Sequence, residues 1–434
     1  MDRDENIGPW SEWDRLHCWH PFTQHAEWEA AGHEPLVLVG GEGAWLIDAD
    51  GRRYFDGNST IWTNLHGHRH PVIDAAVKAQ VDRVAHTSFL GYANPRAAEL
   101  AKRLVDFFPP GKLERVFFSD DGSTAVEVAV KMAIQYRQQC GQEQRTGFLA
   151  FENAYHGDTM GAASLGGVRR FFERFQRFGF PVTRVASVEE LGALPKETAA
   201  SLAAVVIEPL IQGVNEMRPW PSGCLAELRS WCDTNDVHLI LDEVMTGFGR
   251  TGTMFACQQE EVVPDFLCLA KGLTGGYLPL AATLTTPQIF QAFLGGAERT
   301  FYYGHSYTAN QLGCAAALGS LDVFRDERVL EGLPPKMEAL RSGLADLALA
   351  HESVYEVRQC GMIAGIELRR PTAERFPEEV RRGEKVCLAA REFGLLTRPI
   401  RDTIVLMPPL CSSPEEIGEA CKALRMAVET TSRD

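Results

Sequence analysis

From about residue 115 to residue 325, short apolar runs alternate with segments of helical spacing. Arg115–Ser119 (RVFFS), Gly147–Phe151, Ala203–Glu208 (AAVVIE), Val237–Asp242 (VHLILD) and Phe266–Ala270 (FLCLA) each have the length of a strand. Several are apolar almost throughout, as strands are when both faces of a parallel sheet are covered. Thr124–Gln138 and Cys224–Asn235, with helical spacing, lie between them. Alternation of this kind predicts an α/β fold built on an open, mostly parallel sheet.

The two ends of the chain read differently. Ala44–Asp48 and Arg53–Asp56 flank Asp48-Ala49-Asp50-Gly51, which predicts a hairpin with Asp50-Gly51 at its tight turn. Beyond residue 326 come a helical stretch, a strand candidate at Met362–Leu368, a helix over Glu379–Phe393 and a strand at Thr403–Leu406. A chain of 434 residues has room for two or three domains. The expected division is a large domain over 60–328 and a smaller α+β domain assembled from 1–59 and 329–434.

Charge narrows the partners. With 58 acidic against 43 basic side chains the net charge is −15. That argues against a nucleic-acid partner, whose grip comes from clustered Lys and Arg, and against an anionic membrane surface. No apolar run reaches the ~18 residues of a membrane span. Met1–Trp10 is acidic and polar, unlike a signal peptide. The 11 cysteines include no C-x-x-C pair and sit mostly in apolar runs, as Cys268 and Cys314 do. They read as buried free thiols of a soluble cytoplasmic protein.

Three strand ends carry candidate chemistry. Ser119-Asp120-Asp121-Gly122-Ser123-Thr124 lies between a strand and a helix, where Gly122, two hydroxyls and free helix N–H groups make an anion cradle. The plainer reading is helix capping, with Thr124-x-x-Glu127 as a capping box. Leu239–Asp242 ends an apolar strand on Asp242 and Glu243, where a doubly wound sheet binds ligands and where helix-capping carboxylates are also common. Leu267–Lys271 ends another on Lys271, whose amine burial would make neutral and nucleophilic unless it snorkels to solvent. A phosphate cradle, a strand-end Asp and a strand-end Lys together match the needs of pyridoxal phosphate: a held phosphate, a protonated ring nitrogen and an amine for the aldehyde.

Other features take bland readings. His66-x-His68-x-His70 lacks a carboxylate or cysteine at ligand spacing, and Pro71 marks a helix start, so no metal is expected there. Phe171–Phe180 (FFERFQRFGF) is basic and aromatic, but in a chain of net charge −15 it reads as a packed helix or loop.

With these motifs in place, the chain resembles the class-III aminotransferases, pyridoxal-phosphate enzymes of fold type I, over nearly its whole length. Residues 242–275 match the signature of that class, as do Asn153–Asp158, Ile207–Pro209 and Tyr303–Ser306. Trp19–Gln24, Asp56–Trp62, His305–Gly313 and Leu396–Pro399 are most similar to the branch that makes 7,8-diaminopelargonic acid for biotin. The resemblance implies a homodimer that passes an amino group from a small-molecule donor, lysine or S-adenosylmethionine, to the keto acceptor 8-amino-7-oxononanoate. It implies Lys271 as the residue that carries the cofactor and moves the proton, and Asp242 as the partner of the ring nitrogen. Gly122 and Ser123 would bind phosphate, and Tyr155 would cover the ring. Gly304, His305 and Ser306, this last where relatives usually have Thr, would complete the site from the second subunit. Trp62 would line the substrate channel, Arg398 would bind the substrate carboxylate, and Phe22, where S-adenosylmethionine users commonly have Tyr, bears on the donor. Glu208 and Arg250 are further site candidates. An ω-amino acid or diamine aminotransferase, a mutase or racemase on the same core, and a binding protein without activity are the competing readings.

Overall fold

The computed structural model describes residues 10–30 and 32–432. Most of the N-terminal stretch read above for a leader, residues 1–9, lies outside the described residues. Near the N-terminus, β1 (Leu38–Glu42), β2 (Trp45–Asp48) and β3 (Arg53–Asp56) run antiparallel. The predicted hairpin is β2–β3, with Gly51 in the left-handed region at φ +82°. Asp48 holds the turn: its carboxylate accepts the Asp50 and Arg52 N–H groups at 3.0 and 2.8 Å and the Tyr54 hydroxyl at 2.8 Å.

The alternating region supplies β4 (Arg115–Ser119), β5 (Gly147–Phe151), β6 (Val182–Val185) and β7 (Leu202–Ile207). A small antiparallel pair of two-residue strands follows, β8 (Ile211–Gln212) with β9 (Arg218–Pro219). Then come β10 (His238–Asp242), β11 (Phe266–Leu269) and β12 (Ala281–Thr285). Seven of these strands form one sheet in the order β4-β12-β11-β10-β7-β5-β6. It is mostly parallel, as expected; β12 alone runs against its neighbours β11 and β4. All residues of β7, β10, β11 and β12 are buried, so the apolar runs mark the middle of the sheet. β6 and β12 are absent from the sequence reading because their sequences, VTRV and AATLT, are half polar.

The C-terminal part adds β13 (Val354–Cys360), β14 (Ile363–Leu368), β15 (Leu395–Leu396), β16 (Arg398–Ile400) and β17 (Thr403–Leu406). Four of them form a sheet in the order β13-β14-β17-β16, while β15 pairs in parallel with β3, so the two ends of the chain share a sheet. The helix expected over Glu379–Phe393 is shorter: it spans Arg382–Ala390, with single 3₁₀ turns on either side and Arg381 at φ +49° breaking the run. The capping expectation is also corrected. The helix after β4, Gly122–Gln139, is capped by Asp121, whose carboxylate accepts the Thr124 N–H at 2.9 Å. Glu127 instead accepts the Gly161 and Ala162 N–H groups at 2.7 and 3.1 Å, capping the neighbouring helix Met160–Leu165.

The histidine cluster disperses. His66 Nε2 lies 3.0 Å from Ser320 Oγ, His68 pairs with Asp56 and His70 with Glu327. Of the cysteines, seven are buried and Cys18, Cys140 and Cys411 are exposed. No described helix is long and apolar enough to cross a membrane.

Leu241 is fully buried in the middle of the sheet. Leu241→Ala is expected to cost about 2–5 kcal/mol, because the core around a central strand closes only partly over a cavity. A lowered urea midpoint in chemical unfolding checks this.

Candidate active site

β10 and β11 pair in parallel with Asp242 opposite Cys268, so Asp242 and Lys271, three residues beyond Cys268, emerge at the same sheet edge. A cavity of about 710 Å³ opens there, and Asp242, Lys271, Gly122, Ser123, Tyr155 and Trp62 all line it. Glu208, at the end of β7, lines it too. Brought together, then, are seven residues that the sequence reading singled out.

Lys271 opens a 3₁₀ turn directly after the strand, with φ at +38°, a left-handed conformation that a residue with a side chain adopts at a cost. Burial lowers the pKa of its amine; the carboxylates of Asp242 and Glu208 work against that shift and the Arg250 charge works with it. The Lys271 Nζ lies 4.7 Å from the centre of the Trp62 ring.

Asp242 is held from two sides. Its Oδ2 is 2.8 Å from His156 Nδ1, and its Oδ1 accepts the Val244 N–H at 3.1 Å. Burial opposes charge on His156, yet the bond to Asp242 prevails and raises its pKa. His156 has no role in the sequence reading, although it stands inside the Asn153–Asp158 stretch; only the fold shows that it reaches a carboxylate 86 positions away. Glu243, the second strand-end carboxylate, serves structure. It accepts the Ala256 and Cys257 N–H groups at 2.6 and 2.8 Å, and burial pushes its carboxyl up to about 7.

The N-terminus of helix Gly122–Gln139 also faces the cavity. A Cβ on Gly122 would stand 2.6 Å from Val244 Cγ1, so the packing there requires glycine. Ser123 Oγ accepts the Thr159 N–H at 2.9 Å and lies 2.8 Å from Thr159 Oγ1. The Tyr155 hydroxyl donates to Asp158 at 2.6 Å, and burial raises its pKa. The Tyr155 N–H and the Gly213 N–H donate to Glu208 at 3.2 and 2.9 Å. Burial pushes the Glu208 carboxyl up to about 7; the His156 charge opposes this and Asp242 reinforces it.

Six predicted residues stand outside the lining of this chain's cavity. Phe22 is exposed and reaches the site only through a row of edge-on rings: Phe22 against Phe171 at 5.5 Å, Phe171 against Tyr155 at 5.9 Å. Gly304, His305 and Ser306 lie on the loop before helix Gln311–Asp326, where His305 Nδ1 is 2.8 Å from Asp120 Oδ2 and the Ser306 carbonyl is bonded to His86 Nε2 at 2.8 Å. Arg398 is exposed at the start of β16 and has no carboxylate partner among the described residues. Arg250 is fully buried and donates to the carbonyls of Pro408 and Asn64, both at 2.7 Å. Burial lowers its pKa to about 9, and it fastens the chain around the site without facing the cavity.

Residues 28–428 match the Aminotransferase class-III family. The chain is a class-III aminotransferase. Its sequence is 47% identical to the adenosylmethionine-8-amino-7-oxononanoate aminotransferase of Geobacter sulfurreducens, over 96% of this chain and 97% of that one. The crystal structure of the enzyme of the same name from Methanocaldococcus jannaschii superposes with a TM-score of 0.93 at 41% identity, covering 97% of this chain and 98% of the other. An amine transaminase from an uncultivated Pseudomonas species, solved with pyridoxal phosphate bound, superposes with a TM-score of 0.89 at 33% identity over 95% and 98% of the two chains. This aminotransferase is therefore a pyridoxal-phosphate-dependent enzyme of fold type I.

Glu208 gives the aminotransferase a pH signature. Its carboxyl ionises at about 7 in the folded chain against 4.5 ordinarily. The stability it contributes is complete below about 4.5 and is lost as pH rises through about 7, a difference of roughly 3 kcal/mol. Glu208→Gln is expected to flatten that fall, as measured by chemical unfolding of both proteins at pH 5 and pH 8.

Proposed function

We propose that this aminotransferase converts 8-amino-7-oxononanoate to 7,8-diaminononanoate in biotin biosynthesis, taking the amino group from lysine or S-adenosylmethionine in a ping-pong exchange. The observation that carries the chemistry is the Asp242–Lys271 pair at one sheet edge. Relatives named for this acceptor, 40% and 47% identical over nearly the full chain, support the substrate.

The residues present fit pyridoxal phosphate. A cavity of about 710 Å³ has a buried amine on one wall, a carboxylate fixed by His156 and a helix N-terminus where Gly122 leaves the backbone bare. When bound, the cofactor supplies an aldehyde carbon for amines and a ring that stores the electrons left by a departing proton. Lys271, kept reactive by burial, would hold the cofactor, and its freed Nζ would take the proton from the substrate carbon bearing the nitrogen. Asp242 would keep a proton on the ring nitrogen, and His156, bonded to it, keeps Asp242 oriented. Gly122 and Ser123, with the free N–H groups of the helix, bind the phosphate. Tyr155 would cover the ring face, and Trp62 would line the apolar channel for the acceptor's methylene chain. Arg398 receives the substrate carboxylate as a guanidinium fork. Phe22 borders the donor side.

In this reading the working form is a homodimer, in which Gly304, His305 and Ser306 reach the site of the second copy. The larger part, 60–328, carries the cofactor, and 1–59 with 329–434 forms the smaller domain. The enzyme works in the cytoplasm.

Lys271→Ala is expected to lower turnover by at least about 10⁴-fold, since one substitution removes both the amine that holds the cofactor and the base. Normal turnover in that variant contradicts the assignment. In a donor screen, mass spectrometry of the diamine formed from 8-amino-7-oxononanoate is expected to reveal product with lysine or with S-adenosylmethionine. Product from putrescine or β-alanine with pyruvate, and none from 8-amino-7-oxononanoate, overturns the substrate and points to a diamine or ω-amino acid aminotransferase.

A further inference from the structure

Between β3 and the cavity the backbone does something unusual. Ser59, Thr60, Ile61 and Trp62 all have positive φ, at 46°, 50°, 60° and 72°, and none is glycine. A left-handed turn costs roughly 1–2 kcal/mol for each residue with a Cβ, so it persists only where its surroundings hold it. Asp56 does the holding. Its Oδ1 accepts the Thr60 N–H at 2.8 Å, and its Oδ2 accepts the Thr60 hydroxyl at 2.7 Å and the Asn64 amide at 3.3 Å, with His68 Nε2 3.1 Å away. Burial alone would raise the Asp56 pKa, but these bonds prevail and hold it below the usual range.

The ends of the turn are fixed as well. Ser59 Oγ donates to the Met407 carbonyl at 2.6 Å, and the Met407 N–H donates to the Gly57 carbonyl at 2.7 Å. The Trp62 indole N–H donates to Asn58 Oδ1 at 2.9 Å. At the end of this series of bonds stands the Trp62 ring, 4.7 Å from Lys271 Nζ. An aromatic face at that distance stabilises a charged amine. The other charged groups acting on Lys271 are Asp242, Glu208 and Arg250. Trp62 adds an uncharged aromatic face to the lysine's surroundings.

We propose that Asp56 is a positioning residue: by holding the left-handed turn Ser59–Trp62 it sets the Trp62 indole over the Lys271 amine and governs how that amine is presented to the cavity. The proposal rests on the reading of Lys271 as the reactive amine. A role in stability alone would leave the reactivity of Lys271 untouched, and this difference makes the two separable.

The test follows methylation of Lys271 by formaldehyde and cyanoborohydride across a pH series, in the full chain freed of cofactor, read by peptide mass spectrometry. Trp62→Leu is expected to move the pH midpoint down by about 0.5–1 pH unit through loss of the ring face. Asp56→Asn is expected to move it in the same direction, and the double variant no further than Trp62→Leu alone. Ile61→Gly, at an exposed position with φ +60°, is expected to return the Asp56→Asn midpoint toward that of the unaltered protein, because glycine adopts the left-handed turn unaided. Should Asp56→Asn fail to fold, Asn58→Ala, which cuts only the indole's own hydrogen bond, carries the same expectation. An unmoved midpoint in Asp56→Asn, or in Asn58→Ala where Asp56→Asn does not fold, overturns the proposal, as does an unmoved midpoint in Trp62→Leu or a failure of Ile61→Gly to restore a folded Asp56→Asn. Borohydride trapping of pyridoxal phosphate on Lys271 of the unaltered protein tests the underlying reading separately; without an adduct that reading falls, and the methylation series still decides the role of Asp56.

Discussion

The parallel pairing of β10 with β11, Asp242 opposite Cys268, is the contact on which the arrangement of the site depends. Parallel neighbours end at the same sheet edge, so a carboxylate and a lysine 29 positions apart in sequence become two walls of one cavity. β4 belongs to the same geometry. It runs antiparallel to β12, which runs antiparallel to β11, and two reversals restore the direction. The helix that follows β4 therefore begins at the edge where Asp242 and Lys271 end, with Gly122 and Ser123 facing them. β5 and β7 deliver Tyr155 and Glu208 to that edge for the same reason.

Burial then sets the electrostatics. The same loss of water lowers the pKa of the Lys271 amine and raises that of the Glu208 carboxyl to about 7, because in both cases the charged form suffers. Asp242 is held in place by hydrogen bonds to the His156 ring and the Val244 N–H. Burial thus acts alike on Lys271 and Glu208, while Asp242 is held by hydrogen bonds. Arg250 shows the cost of such a frame: its two terminal amines donate to backbone carbonyls, binding Pro408 to Asn64 across the chain, while its buried Nε has no hydrogen-bond partner among the described residues.

Much of this was legible in the residues. β4 and β5 carry the expected boundaries, β10 and β11 differ from theirs by a residue at one end, and β7 is shifted by a residue at both ends. A fully buried parallel strand is written as an unbroken apolar run, and that signal is local. β12 was not legible, since AATLT is apolar enough only for a strand already sandwiched between two others. The capping of helix Gly122–Gln139 was misread by one turn, as Asp121 and Thr124 close on each other and leave Glu127 to a different helix. Nothing local marks His156 as the partner of Asp242 or Asp56 as the anchor of four left-handed residues. His156 acts across 86 positions, and Asp56, though only four residues from Thr60, shows its role only in the backbone angles of the folded turn.

The sequence by itself determined the fold class, the strand ends that carry Asp242 and Lys271, and the family, because hydrophobic run length, turn chemistry and residue type are properties of short segments. Which candidates share the cavity was decided by tertiary structure. Seven of them meet at the sheet edge, while Arg250 is spent on backbone carbonyls and Arg398, Phe22 and the Gly304–Ser306 loop lie off the cavity wall. The reason is physical: strand order and direction place side chains tens of residues apart within a few ångströms, and no local pattern encodes which edge a strand will share.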